Sequence, residues 1–252
     1  MADDKIHLLL HQKYDANDPI IICGKSTLPE NSISVLGIKI DALVKFNEHI
    51  VMLNGKLRSI LYLYRNIAKL DISAPILRNL IRSTLVTKLS YGLSIFGSVA
   101  NLPKYQGSSN SIRNKSLMIK LQLTLNHLAR ISIKYSGYYQ NMPIDQLYKE
   151  SKFLSLNQMV AYHSVMELYS ILKNEKPSLL YNSFQMEVPQ RCTRSGATLT
   201  CICKNTTIFS FAGRAVHLWN ILPGELKAIE ERHIFKKHFE TWITNNVTLS
   251  IV

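Results

Sequence analysis

Apolar side chains recur at helical spacing through most of this sequence, and that period excludes most other ways of folding it. Ile50, Leu53, Leu57, Ile60, Tyr64 and Ile67 fall on one stripe, with Gly55 inside it as a weak point of about 1 kcal/mol relative to alanine. Asn47 is expected to cap that helix. Ser73 followed by Pro75 predicts the start of another helix, with Leu77, Leu80, Ile81, Leu85 and Leu89 on its core face. Arg78 and Arg82 lie one turn apart on a different face. Leu117, Leu121, Leu125 and Leu128 mark a further helix. Met159, Tyr162, Met166, Tyr169 and Leu172 mark one that starts at Ser155 or Asn157, and Phe235, Phe239, Trp242 and Ile243 mark the last. Short apolar runs at 6–10, 19–23 and 33–40, bounded by turn formers, predict a small β element, and 198–203 alternates like a short strand. The predicted fold is mainly α, a helical bundle with a small N-terminal β element and a short C-terminal strand and helix region.

Charge narrows the function classes. The net charge is +13, and it is unevenly placed. No acidic residue occurs between Asp71 and Asp145, a stretch that carries Arg78, Arg82, Lys88, Lys104, Arg113, Lys115, Lys120, Arg130 and Lys134. Lys56, Arg58, Arg65 and Lys69 precede it, and a second acid-free stretch runs from Val188 to Gly224. Solvated faces ordinarily mix both signs to limit self-repulsion. A long run of one sign points to a polyanion, with counterion release from its phosphates as the driving force. Arg113, Lys120, His127 and Lys134 recur every seven residues, so a long helix would line them up along a phosphate backbone. The most apolar helical stretch, near 85–100, carries Lys88 and two glycines and is too short to span a bilayer. The acidic start at Asp3-Asp4 is unlike a secretory leader. The expectation is an intracellular protein, cytoplasmic or nuclear, with no membrane partner.

Several motifs succeed one another in a definite order. Leu36-Gly37-Ile38-Lys39-Ile40-Asp41 places a glycine in a short apolar strand, where another backbone can approach, and an aspartate where the strand can turn. Tyr91-Gly92 precedes Ile95-Phe96-Gly97, and Leu121-Gln122 precedes Arg130. Then come Thr193-Arg194-Ser195, Phe211-Ala212-Gly213-Arg214, Trp219-Asn220-Ile221-Leu222-Pro223 and Phe235-Lys236. This series, across residues 19–245, resembles the part of jockey-like non-LTR retrotransposon reverse transcriptases that lies just past the catalytic palm. The resemblance implies an end of palm with a primer-grip-like hairpin over 1–41, a basic helical thumb-like region over 42–140, and a C-terminal helical region with the WN-x-LP box over 141–252. It implies that Leu36 and Gly37 lie near the primer grip. Contacts to template–primer phosphates would come from Lys56, Arg58, Arg78, Arg82, Arg113, Lys120, Arg130 and Lys134, positioning the nucleic acid without specifying its sequence. The implied partner is RNA or an RNA–DNA hybrid.

Polymerisation in this family needs three carboxylates holding two divalent ions, Mg in the intact enzyme. Asp3-Asp4 reads either as a relic of the Ala-Asp-Asp hairpin or as coincidence. The third carboxylate belongs to an early palm strand that these residues do not include, so no cofactor is expected on this chain alone and no catalysis by it. Asp15, Asp18 and Asp41 form no compensating pattern. Cys192, Cys201 and Cys203 with His217 lack the second pair that a zinc finger needs and read as free thiols. His49 and His163 read as ordinary interior or face residues. The alternative to a nucleic-acid grip is a protein-interaction or oligomerisation module that pairs with itself or with an intact polymerase.

Overall fold

The computed structural model describes residues 20–22, 25–98, 114–135, 142–187, 198–201 and 210–247. The protein is mainly helical, as the periodicity predicts. Two small antiparallel hairpins lead in. Strand β1 (Ile20–Ile22) pairs with β2 (Lys25–Thr27), and β3 (Ser32–Val35) pairs with β4 (Ile38–Asp41). The second hairpin turns on Leu36 and Gly37, whose φ angles of 49° and 83° are both left-handed. A two-residue turn of this hand matches the twist of the flanking strands. The Tyr91 hydroxyl donates to the Leu36 carbonyl at 2.7 Å and holds the turn down.

Asp41 ends the strand as its chemistry suggests, because its Oδ1 accepts from the backbone N–H groups of Leu43 and Lys45 at 3.1 and 2.9 Å. Helix α1 (Asn47–Ile67) comes next. The residue before it is Phe46, left-handed at φ 60° with a buried ring, and the helix start has no side-chain cap. The expected Asn47 cap is therefore corrected: Asn47 is already helical and exposed. Burying the Phe46 ring decides the entry instead.

Helix α2 (Ala74–Ile81) passes through a π-helical turn (Arg82–Val86) into α3 (Thr87–Ser90) as one rod. Leu77, Ile81 and Leu89 are buried, whereas Leu80, expected inside, is exposed because its direction faces away from the bundle. The Leu85 side chain is outside the described residues. Helix α4 (Leu93–Phe96) sits between Gly92 and Gly97. A Cβ on Gly92 would lie 2.5 Å from Ile38 Cδ1, and one on Gly97 would lie 2.6 Å from Val160 Cγ2. The two glycines of the Tyr-Gly and Phe-Gly motif thus let the β3–β4 hairpin and the next helical layer close in.

The remaining elements are α5 (Lys115–Ser132), α6 (Ile144–Ser151), α7 (Leu156–Asn174), α8 (Ser178–Tyr181), β5 (Phe184–Glu187) paired with β6 (Thr198–Cys201), α9 (Phe211–Ile221), α10 (Gly224–Lys227) and α11 (Arg232–Asn246). Helix α7 starts with a capping box, Ser155 and Gln158 each satisfying the other's backbone N–H. It is buried on nearly every side, at Leu156, Val160, Val165, Leu168, Tyr169 and Ile171 among others, as a helix surrounded by neighbours must be. Tyr169 stacks on Phe235 with centroids 4.2 Å apart, and Phe235, Phe239 and Trp242 continue the stack, with Trp219 at 6.2 Å from Phe235. The WN-x-LP tryptophan and the terminal Phe-Lys phenylalanine therefore share one aromatic cluster.

One cation sits inside this core. Arg214 on α9 has 0% exposure. Its Nε donates to Ser164 Oγ at 2.8 Å, Nη1 to the Gly97 carbonyl at 2.9 Å and Nη2 to the Ser94 carbonyl at 2.6 Å. Burial pushes its pKa down to about 10, which leaves it charged at neutral pH. Hydrogen bonds from a charged donor contribute about 1.5–3 kcal/mol each, and removing the donor strands buried carbonyls. Arg214→Ala is expected to cost at least about 3 kcal/mol in urea unfolding, with Arg214→Lys recovering only part because it lacks the forked geometry. An Arg214→Ala protein as stable as the parent would refute this role.

Candidate nucleic-acid interface

Helices α1 and α5 lie side by side and run in the same direction. The Asn114 side chain donates to the Lys45 carbonyl at their N-terminal ends. Thr124 Oγ1 donates to Asn54 Oδ1 at 2.9 Å midway, and Lys134 Nζ donates to the Leu70 carbonyl at 3.2 Å at their C-terminal ends. Buried Leu57, Leu61, Leu121, Leu125 and Leu128 hold the pair to the core. A groove of about 440 Å³ runs between them. Arg58, Leu61, Tyr62 and Arg65 line it from α1, and Lys120, Leu123, Thr124 and His127 from α5. Each helix contributes positions i, i+4 and i+7, the spacing that keeps side chains on one face.

Among the described residues no carboxylate lines this groove. Its field shows in His127, whose pKa lies below the ordinary 6.5, first through burial and then through the positive charges of Arg65 and Arg130. Arg130 is half-buried beside the groove. Behind it lies a buried polar cluster. Gln122 Nε2 donates to Asn126 Oδ1 at 2.7 Å and to the Tyr148 hydroxyl at 2.6 Å, Tyr148 donates to Asn126 Oδ1 at 2.6 Å, and the Leu156 N–H donates to Gln122 Oε1 at 2.8 Å. Burial pushes the Tyr148 phenol well above its ordinary range. The glutamine of the Leu-Gln motif thus fastens α5 to α6 and to the start of α7.

The sequence-predicted contacts divide. Arg58 and Lys120 both line the groove, and the charge of Arg130 reaches its His127. Lys56 is about 200° around α1 from Arg58, on the side of His49, whose pKa is lowered first by burial and then by the Lys56 charge. Arg78 is half-buried on α2. Arg82 leaves the π turn toward α11 and pairs with Glu240 at 3.2 Å. Lys134 lies past the end of α5 and is committed to the α1 terminus. Arg113, Asp3 and Asp4 lie outside the described residues, as do Cys192 and Cys203. Arg214, one of the cations of the second acid-free stretch, is a core residue. Leu36 and Gly37 form the hairpin tip, with Leu36 85% exposed over an apolar groove of about 550 Å³ that includes Val35, Tyr91, Ile95 and Phe211.

Charge does not signal Tyr62, and it shows Arg65 and His127 only as members of a run and a stripe. The i, i+4, i+7 relation of Arg58, Tyr62 and Arg65 between core positions is the available sign. His49 is interior, as expected. Its Nδ1 accepts from the Lys39 N–H at 3.4 Å, and its ring meets Phe96 edge-on at 4.8 Å. A smaller cavity of about 190 Å³ near α11 mixes Arg82, Lys152 and Lys236 with Glu240, so it lacks the single sign of the α1–α5 groove. His163 borders it, pushed down to about 4 by burial and then by Lys236.

Among the described residues no three His, Cys, Asp or Glu side chains converge as a metal site. Asp3 and Asp4, the carboxylates that the resemblance singles out, lie outside the described residues, and Asp41 spends Oδ1 on its own turn. No helix among the described residues is long and apolar enough to cross a membrane. No family model, curated protein or solved structure matches the chain.

Because Arg65 disfavours the imidazolium, Arg65→Gln is expected to raise the His127 midpoint, and the parent is expected to titrate below 6.5. Ring-proton chemical shifts tracked from pH 4 to 8 measure both. A parent midpoint above 6.5 would show that the groove lacks this positive field.

Proposed function

We propose that this chain is the gripping part of a jockey-like non-LTR retrotransposon reverse transcriptase, which holds RNA or an RNA–DNA hybrid and does not polymerise alone. The single observation that carries the binding role is the groove between α1 and α5, lined by Arg58, Arg65 and Lys120 and by no carboxylate of the described residues. The sequence from 72 to 144, which includes all of α5, carries no acidic residue. The order of motifs supports the family. Binding of this kind positions a backbone and tolerates any sequence.

Each phosphate neutralised releases counterions, so affinity falls along a log–log salt slope of about −0.7 to −0.9 per contact. Filter binding of an RNA–DNA hybrid with a single-stranded template overhang is expected to fall steeply at rising salt. The double variant Arg58→Gln, Lys120→Gln should bind more weakly, with a slope shallower by about 2. A flat salt response would end the electrostatic account.

One observation favours a second reading, that of a protein-interaction or oligomerisation module. The apolar groove under the β3–β4 hairpin carries exposed Val35, Leu36, Tyr91 and Ile95, a cluster of the kind that partners cover. Sedimentation velocity without nucleic acid separates the two. The gripping role expects monomers up to high concentration, and the module expects a concentration-dependent dimer.

A further inference from the structure

We infer that the α1–α5 groove receives an unpaired nucleotide, its base lying on the face of Tyr62 opposite Leu123 and its flanking phosphates on Arg58, Arg65 and Lys120. This deepens the proposed nucleic-acid grip and rests on it.

Tyr62 is 70% exposed in the middle of a packed helix, between buried Leu61 and Tyr64. Among the described residues no other ring stacks on it. Leu123, 53% exposed, stands on the facing helix and lines the same groove. An aromatic ring on one wall and an aliphatic side chain on the other offer apolar surface to a flat ring, and every base has such a ring.

The cations are placed to hold what joins to that base. Arg58 is four residues before Tyr62 and Arg65 three residues after it, so they flank the ring about 6 and 4.5 Å along the axis. A strand laid along α1 would pass one guanidinium, the ring and the second guanidinium in turn, with Lys120 from the opposite wall.

The shape argues against a duplex in this place. Packed helices approach to about 8–10 Å between axes, and the Thr124–Asn54 hydrogen bond closes the floor. The volume of about 440 Å³ falls in the small-ligand range of about 300–1,000 Å³. A base enters such a slot only when it is free of its partner strand. The chemistry fits a single-stranded stretch, such as the template ahead of a hybrid.

The experiment uses the whole chain and two fluorescein-labelled probes, a dozen-nucleotide oligo-dT strand and a blunt duplex of the same length, by anisotropy at one low salt concentration. The strand is expected to bind more tightly than the duplex. Tyr62→Ala should lose about tenfold in strand affinity and leave duplex affinity unchanged, while Tyr62→Phe, which keeps the ring, should bind as the parent does. Far-UV circular dichroism and the urea midpoint check that these exposed substitutions leave the fold intact. Equal strand binding by Tyr62→Ala and the parent, or a preference for the duplex, would overturn the base slot and leave the groove as a phosphate grip. Failure of both probes to bind, or indifference to Arg58→Gln with Lys120→Gln, would overturn the grip itself.

Discussion

The fold turns on a guanidinium that water never reaches. Arg214 brings α9 to the carbonyl end of α4 and to the flank of α7 through three acceptors. Those segments are far apart in sequence, and burying a charge is tolerable only when its donors are satisfied. The arrangement therefore specifies one packing and penalises neighbours. Gly97 matters for the same reason, because its carbonyl serves Arg214 while its bare Cα lets Val160 approach. Helix α7, fixed this way, becomes the post against which the aromatic stack and the α5–α6 unit are set.

The basic groove needs that rigidity. Like charges on two adjacent helices repel, and among the described residues no carboxylate lines the groove between them. The leucines beneath and the Gln122–Asn126–Tyr148 cluster behind oppose that repulsion through burial and through hydrogen bonds. On the proposed reading, bound phosphates would relieve that repulsion. That is the physical sense in which a surface can be built for a ligand at some expense to the free protein.

The main helices were legible because their signals are local and periodic. The α1, α5, α7 and α11 stripes appear as expected from side chains a few positions apart, and of the two expected starts of α7, Ser155 is the cap. What was not legible depends on distant partners. Phe46 replaces Asn47 at the start of α1 because its ring finds a core built by later helices. Arg214 looks like any other cation until Ser94, Gly97 and Ser164 are folded around it. Arg82 looks like a phosphate contact until Glu240 arrives from α11. At the groove, charge showed Arg58 and Lys120, but only the parallel pairing of α1 and α5 shows that Tyr62 and Leu123 face one gap. The heptad-spaced stripe overreached at Lys134, since α5 ends before it.

The wide turn between α2 and α3 has its own consequence. Ile81 and Leu89 are both buried although eight residues of plain α-helix would advance about 800°, leaving them about 80° out of phase. The i to i+5 bonding of Arg82–Val86 absorbs the surplus. A chain shorter by one residue within that turn would advance about 700° as an ordinary helix and bring Leu89 back to nearly the same side. Losing one residue between Ile81 and Leu89 would therefore preserve the orientation of α3 and α4, including the Gly92 seat for Ile38.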